Sequence, residues 1–280
     1  LEKEMEPLNI LITGRTGFLG RELESKLKDK YNILQIDRFD LTDPNTVSKI
    51  FNTNNIDVVI HTAAKGGKRT KQDSIEDLTD NLSMFQNLIN NSNKYKVLFN
   101  FCSGAAFNKK EEINNISEDS LSSRYPYDYY GMSKNLIARE CSKHDNVFNF
   151  RLFGCFGKNE TPDRFFSQLK IKYEKGMSHI IHQNIEMDFF SSTDVANVIM
   201  HYLENYTQNN LPQDINLVYP EKYNLHQLTD KFFNSVGCVT PVTIERVDGL
   251  SYTGDGTLLN SLGLELEGLE LGLREVYKNG

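Results

Sequence analysis

The sequence predicts an α/β fold, a doubly wound parallel sheet followed by a small C-terminal α/β lobe. Three observations lead there. Short apolar runs alternate with helical periodicities through the first half of the chain, the pattern of a parallel sheet covered on both faces. The first apolar run stops on a glycine-rich turn. From about residue 154 onward the elements become shorter and irregular, which marks a change of architecture.

Residues 8–13 (LNILIT) are an apolar run ending at Gly14 and read as a buried strand. Over 18–28, Leu19, Leu23 and Leu27 recur at helical spacing with charges between them. A second strand, 32–36, ends at Asp37. Asp43 and Pro44 open a helix running through Phe51, with the aspartate as cap and the proline in the first turn. Residues 57–61 (DVVIH) form a third strand. A long helix over 74–92 carries Ile75, Leu78, Leu82, Phe85 and Ile89 along one side. A fourth strand (96–102), a helix (129–144) and a fifth strand (147–152) follow. The second half holds helices at 164–175, 194–206, 225–236 and 269–277, and a strand at 179–182. A further strand at 215–218 is expected to return to the sheet.

The 280 residues suit one large domain or two small ones and can bury a core without disulfides or metals. A formal net charge of -7 argues against binding a nucleic-acid backbone, but leaves room for a small anion held by local amides and a few cations. Cys102, Cys141, Cys155 and Cys238 show no paired spacing, which reads as reduced thiols in a cytoplasmic protein. No apolar run is long enough to suggest a membrane span, and no basic-then-apolar leader suggests secretion. The chain begins with Leu, and residues 1–6 are expected to include a cloning remnant. His179 and His182 sit at odd spacing on one strand, hence on opposite faces, so no shared metal site is expected. Cys102 and Cys155 read as small core residues.

Two motifs carry chemistry. The first strand runs into TGRTGFLG (13–20). Gly14, Gly17 and Gly20 allow a tight turn, close approach to a pyrophosphate and close helix packing. The helix N-terminus behind them offers unpaired N–H groups to phosphate, with Thr16, Phe18 and Leu19 completing the loop. Asp37 closes the second strand, where an acid can accept hydrogen bonds from an adenosine ribose. Arg38 could instead pair with a 2′-phosphate, so NAD and NADP both remain open. Asp40 and Leu41 lie where they could touch the adenine, or form an ordinary capping turn. The second motif is YGMSK (130–134). Tyr130 and Lys134 stand at i and i+4 on one helix face, where the ammonium is expected to lower the phenol pKa. Ser103, at the end of the fourth strand, is the third partner, hydrogen-bonding a substrate oxygen.

With TGRTGFLG, Asp37, DLTD (40–43), DVVIHTAA (57–64), Asn81, FCSGAAF (101–107), YGMSK and RLFGCFG (151–157), the chain resembles the extended branch of the short-chain dehydrogenase/reductase superfamily. This is the NAD-dependent epimerase/dehydratase group that modifies nucleotide-diphosphate sugars. The resemblance is specific in the first part and looser after Gly157. It implies a Rossmann-like NAD(P)-binding domain over 7–153 and a substrate-binding lobe over 154–280, with segments near 215–236 rejoining the sheet. It also implies Ser103, Tyr130 and Lys134 as the catalytic set, and places Lys134 on the nicotinamide ribose with Ala63, Ala64 and Asn81 nearby. The segment 35–47 (QIDRFDLTDPNTV) is similar to dTDP-4-dehydrorhamnose reductases, and GDP-fucose synthase-like reductases are also close in character.

Within such a family the residues after Ser103 bear on the reaction. Related 4,6-dehydratases place an acidic pair there, decarboxylases a glutamate and GDP-fucose synthase a cysteine, whereas this chain has Gly104 and Ala105. An apolar pair cannot act as acid or base. What remains is an NAD(P)H-dependent reductase of a nucleotide-linked 4-keto-6-deoxy sugar, with Tyr130 as proton donor. The alternative is a nucleotide-sugar 4-epimerase with tightly bound NAD, and behind it a non-catalytic dinucleotide-binding protein. Met187 stands where the family often has a diphosphate-binding arginine. Arg164, Arg246 and Asp188 are therefore the substrate-lobe candidates beside Ser103. A homodimer through helices 74–92 and 129–144 is expected by the same resemblance.

Overall fold

The computed structural model describes residues 7–68, 71–208, 210–238 and 241–278; residues 1–6, with the expected remnant, lie outside them. The first half is a regular alternation. β1 (Asn9–Thr13), α1 (Phe18–Leu27), β2 (Asn32–Ile33), α2 (Pro44–Thr53), β3 (Val58–His61), α3 (Ile75–Ile89) and β4 (Val97–Ser103) come first. Then come β5 (Ile113–Ile116), α4 (Tyr129–Cys141) and β6 (Val147–Leu152). The local reasons are those legible in the residues. Asp43 caps α2, its carboxylate accepting from the N–H groups of Asn45 and Thr46. Ser74 and Asp77 form a reciprocal capping box on α3. That helix ends at Ile89, before Asn90 and Asn91, rather than at 92.

Six strands form one parallel sheet in the order β10-β6-β4-β3-β1-β2, with β10 being Asp214–Leu217. The strand order reverses between β1 and β3, and ligands of open α/β sheets bind in the crevice at such a switch point. β2 is shorter than its apolar run. Leu34 still donates to the Ile10 carbonyl at 2.9 Å, and the ladder stops there although β1 continues to Thr13.

The second half adds β7 (Cys155–Phe156), α5 (Phe165–Glu174), β8 (His179–Ile181), β9 (Phe190–Ser191) and α6 (Ser192–Asn205) before β10. After β10 come α7 (Leu225–Ser235), β11 (Val242–Ile244), β12 (Tyr252–Gly254), α8 (Thr257–Ser261) and α9 (Leu269–Lys278). Both faces of the sheet are covered. Leu23 and Leu27 of α1 share a core with Val195, Ile199 and Tyr202 of α6 on one face. Val47, Phe85, Leu88 and Ile137 from α2, α3 and α4 pack on the other. Of the segment 215–236, the strand joins the sheet edge beside β6. α7 instead packs with α5 and α9, through Phe232, Phe166 and Leu273. Three two-stranded parallel pairs, β5–β12, β7–β9 and β8–β11, complete the fold; of their strands only β8 shows as a run in the sequence.

Candidate active site

The turn after β1 is built for close approach. Gly14 has φ +72°, and a Cβ there would lie 2.7 Å from the Ala63 nitrogen on β3's side of the crevice. A Cβ on Gly20 would lie 2.4 Å from the Gly14 carbonyl oxygen. Gly17 caps α1 with no side-chain hydrogen bond, and the first turn carries no acid. The N-terminal amides and the positive end of the helix dipole are therefore left to an anion. Thr16 and Gly17 are exposed, while Phe18 and Leu19 are half-buried behind them. These features fit the pyrophosphate of a dinucleotide.

At the adenosine side the predicted residues divide. Asp37 and Arg38 are both exposed beyond β2. Asp40 is engaged by its own turn, its carboxylate accepting from the Thr42 N–H at 2.9 Å and hydroxyl at 2.7 Å. Leu41 is buried in the core, and its carbonyl accepts from Asn87. Arg15, which the motif reading passed over, pairs with Glu24 at 2.9 Å and donates to Gln35 at 2.7 Å.

Across the crevice, α4 delivers Tyr130 and Lys134, and β4 ends on Ser103. Asp128 caps α4 through the Gly131 N–H at 2.7 Å. Asn81 is 2 % exposed and ties two pieces together. It accepts from the Lys65 N–H at 2.8 Å and donates to the Lys65 carbonyl and to Ser133 on α4. That fixes the loop holding Ala63 and Ala64, whose Gly67 lies against the Tyr130 ring.

The electrostatics correct one expectation. Tyr130 is not made more acidic. Burial, with the Cys102 thiol beside it, pushes its phenol up to about 12, while Ser103 and Arg164 pull only weakly the other way. Lys134 stands 5.8 Å from the ring centroid and donates to the Phe101 carbonyl at 2.7 Å. Burial also lowers its own pKa. Desolvation of the phenolate sets the direction of the shift.

Ser103 accepts from the Ala105 N–H at 3.1 Å. A side chain at 104 has no room, since a Cβ there would lie 2.5 Å from the Phe153 ring and 2.8 Å from the Tyr252 hydroxyl oxygen. Among the substrate-lobe candidates, Arg164 comes to this region. Its guanidinium lies over the Phe18 ring at 5.5 Å and acts electrostatically on Tyr130. Asp188 is 5 % exposed and bound internally, to Lys222 at 2.8 Å and to the Gly254 N–H at 2.8 Å. Arg246 is exposed past β11, and its carbonyl receives the Asn184 N–H. His179 is buried, while His182 is exposed and pairs with Glu245 at 2.7 Å.

Two groups escaped the motif reading. Tyr252 brings its hydroxyl from β12 to Gly104, the residue after Ser103, and Glu160 lies near Arg164 in the loop before α5. Burial drives the Glu160 carboxyl up to about 8, and its Oε1 has no hydrogen-bond partner. Neither carries a periodic or motif signal; KNETPDR (158–164) reads as a polar surface loop.

A strand, glycine turn and helix at the switch point, facing a Ser–Tyr–Lys set, define a dinucleotide-binding α/β protein of the short-chain dehydrogenase/reductase type. The sequence profile of the NAD dependent epimerase/dehydratase family matches residues 10–217, and the chain belongs to that family of enzymes. Among curated proteins none matches significantly. Solved structures match over nearly the whole chain. A GDP-mannoheptose C4 reductase from Campylobacter jejuni with NADP bound is 21% identical, with TM-score 0.84 and 99% of each chain covered. A GDP-L-fucose synthetase from Naegleria fowleri is 17% identical, with TM-score 0.79, over 98% of this chain and 94% of the other. A dTDP-glucose 4,6-dehydratase from Bacillus anthracis in complex with NAD is 14% identical, with TM-score 0.78, over 97% and 96%. At these identities the likeness establishes the fold, which hosts more than one reaction.

Proposed function

We propose that the protein is an NAD(P)H-dependent reductase of a nucleotide-diphosphate 4-keto-6-deoxy sugar. The observation that carries this reading is the pairing of a protonated phenol with a sealed neighbour. Tyr130, held near 12 by burial, is a proton donor across the neutral range. The space beside Ser103 that would hold an acidic side chain at 104 is filled by Phe153 and Tyr252. Reduction asks for one hydride and one proton, whereas dehydration asks for an additional acid and base.

A nicotinamide dinucleotide on the glycine turn would supply the hydride. Gly14, Gly17 and Gly20 would admit its pyrophosphate, and Lys134 would hold the nicotinamide ribose. Ser103 donates a hydrogen bond to the keto oxygen and Tyr130 delivers the proton to it. Arg164 is the cation placed to meet the diphosphate. Asp188 supports the lobe from within.

The test is turnover of a panel of 4-keto sugar nucleotides with NADPH and NADH. It is read by loss of reduced-nicotinamide absorbance and by the mass of the product. The relatives described as GDP-linked reductases make GDP the first nucleotide to try. An epimerase would isomerise the sugar with its cofactor retained and no net oxidation. We further propose a homodimer through α3 and α4, whose shared groove exposes Leu136 beside Leu82, Phe85 and Ile137. Light scattering at the dimer mass checks it, and a monomer at assay concentration removes it.

A further inference from the structure

The loop that follows β3 has two consecutive residues in the left-handed region, Gly66 at φ +81° and Gly67 at φ +70°, a conformation glycine adopts without steric cost. Each glycine also makes room for a neighbour. A Cβ on Gly66 would lie 2.7 Å from the Asp73 carboxylate. A Cβ on Gly67 would lie 2.9 Å from Cζ of Tyr130, the ring carbon that bears the hydroxyl, and 3.0 Å from both carbons beside it. Gly67 is therefore seated on the hydroxyl end of the phenol. The Asp73 carboxylate holds it there, accepting from the Gly67 N–H at 2.7 Å. The other end of the loop is fastened to α4 itself. Asn81 bonds both the N–H and the carbonyl of Lys65 and donates to the Ser133 hydroxyl at 3.0 Å, which in turn donates to the Tyr130 carbonyl at 2.7 Å. One loop thus meets Tyr130 twice, at its backbone through Asn81 and Ser133 and at its ring through Gly67.

Resting on the reductase reading above, we propose that Asp73 is a positioning residue: by clasping the Gly67 N–H it keeps the glycine backbone against the Tyr130 ring, and so fixes where the phenolic hydroxyl points in the crevice. Asp73 acts through Gly67 and transfers no proton itself. With Asn81 anchoring Lys65, loss of the clasp frees only the glycine end of the loop. The carboxylate–amide bond is charge-assisted, but the geometry asks only for an acceptor oxygen at that place. An amide side chain of the same shape can therefore stand in for it.

Asp73→Ala removes the acceptor, and Asp73→Asn keeps an acceptor oxygen while removing the charge. With a turned-over keto sugar nucleotide, kcat of Asp73→Ala is expected to fall about tenfold, the scale of one lost hydrogen bond to a charged group, with the KM for NADPH and the melting temperature kept. Asp73→Asn is expected to restore kcat to within about threefold of wild type, since the bond is remade in weaker, neutral form. A melting temperature that falls while kcat holds overturns the proposal, because Asp73 then only braces the loop. An Asp73→Asn enzyme as slow as Asp73→Ala overturns it too, because the charge and not the bond is then what matters. A second measurement needs no substrate. In ring-carbon NMR of isotope-labelled tyrosine, the Tyr130 resonance, assigned by its loss in Tyr130→Phe, is expected to shift in Asp73→Ala and to lie nearer its wild-type position in Asp73→Asn. A resonance unmoved in Asp73→Ala overturns the clasp even where wild-type reductase activity is found. The expected shifts in a protein that reduces no keto sugar support the clasp and sink the reductase reading instead.

Discussion

The two walls of the crevice are made differently. The wall that bears the glycine turn, Ser103, Tyr130 and Lys134 comes from consecutive strands and helices, its strands built on apolar runs and α4 capped by Asp128. The facing wall is assembled from chain-distant scraps: β12 pairs with β5, β9 with β7, and β11 with β8. Its key contacts are polar and buried, notably Asp188 with Lys222. In the function proposed above, chemistry sits on the part that local sequence specifies most firmly, and recognition on the part whose geometry depends on a few long-range bonds.

That contrast can be broken. The largest effect is expected on the chemical wall. Tyr130→Phe should lower kcat by about 10²–10⁴, the usual scale for one general acid, with cofactor affinity and melting temperature kept; near-normal turnover would remove Tyr130 from the mechanism. The opposite signature is expected from Lys222→Met, which strands the Asp188 carboxylate. Chemical denaturation should show a loss of up to about 3 kcal/mol, and the KM for the sugar nucleotide should rise while dinucleotide binding holds. Unchanged stability would mean the facing wall does not rest on this pair.

Smaller effects sharpen the picture. Gly20→Ala forces a methyl against backbone at 2.4 Å. It should cost about 1–3 kcal/mol of stability and weaken dinucleotide binding by about tenfold or more, read by fluorescence titration. The last concerns Glu160, whose carboxyl moves from an ordinary 4.5 to about 8 on folding. A folded pKa above the unfolded one means the native state binds more protons between those values, so this group erodes stability as pH rises from about 4.5 to about 8. Glu160→Gln should then raise the melting temperature more at pH 8 than at pH 5; an equal shift at both would show that the carboxyl does not titrate on folding.

How far the residues alone reached follows the same division. Strands β1, β3, β4 and β6 were legible because each is a mostly apolar run, α2 because Asp43 and Pro44 spell out its start, and α3 because Ile75, Leu78, Leu82, Phe85 and Ile89 recur along one side. The glycine turn and the Ser103–Tyr130–Lys134 set were legible as spacing, but the sign of the phenol's shift was not. Spacing puts Lys134 on the right face, yet burial and the pull of the Phe101 carbonyl on its ammonium depend on the packed core. Asp188 reads as a binding residue until Lys222, 34 positions later, is seen to claim it. Tyr252 was silent because its neighbours, Gly104 and Phe153, lie far along the chain, and Glu160 because its burial comes from the packed loop and not from any periodic pattern.

Glu22 is buried on the first helix, and its carboxylate accepts from Asn159 through one oxygen and from Ser192 through the other. The element whose amino end faces the phosphates is thereby riveted to the stretch that leads to Arg164 and to the start of α6. In the function proposed above, the cofactor's helix and the loop carrying Arg164 are therefore held as one piece through a single buried carboxylate.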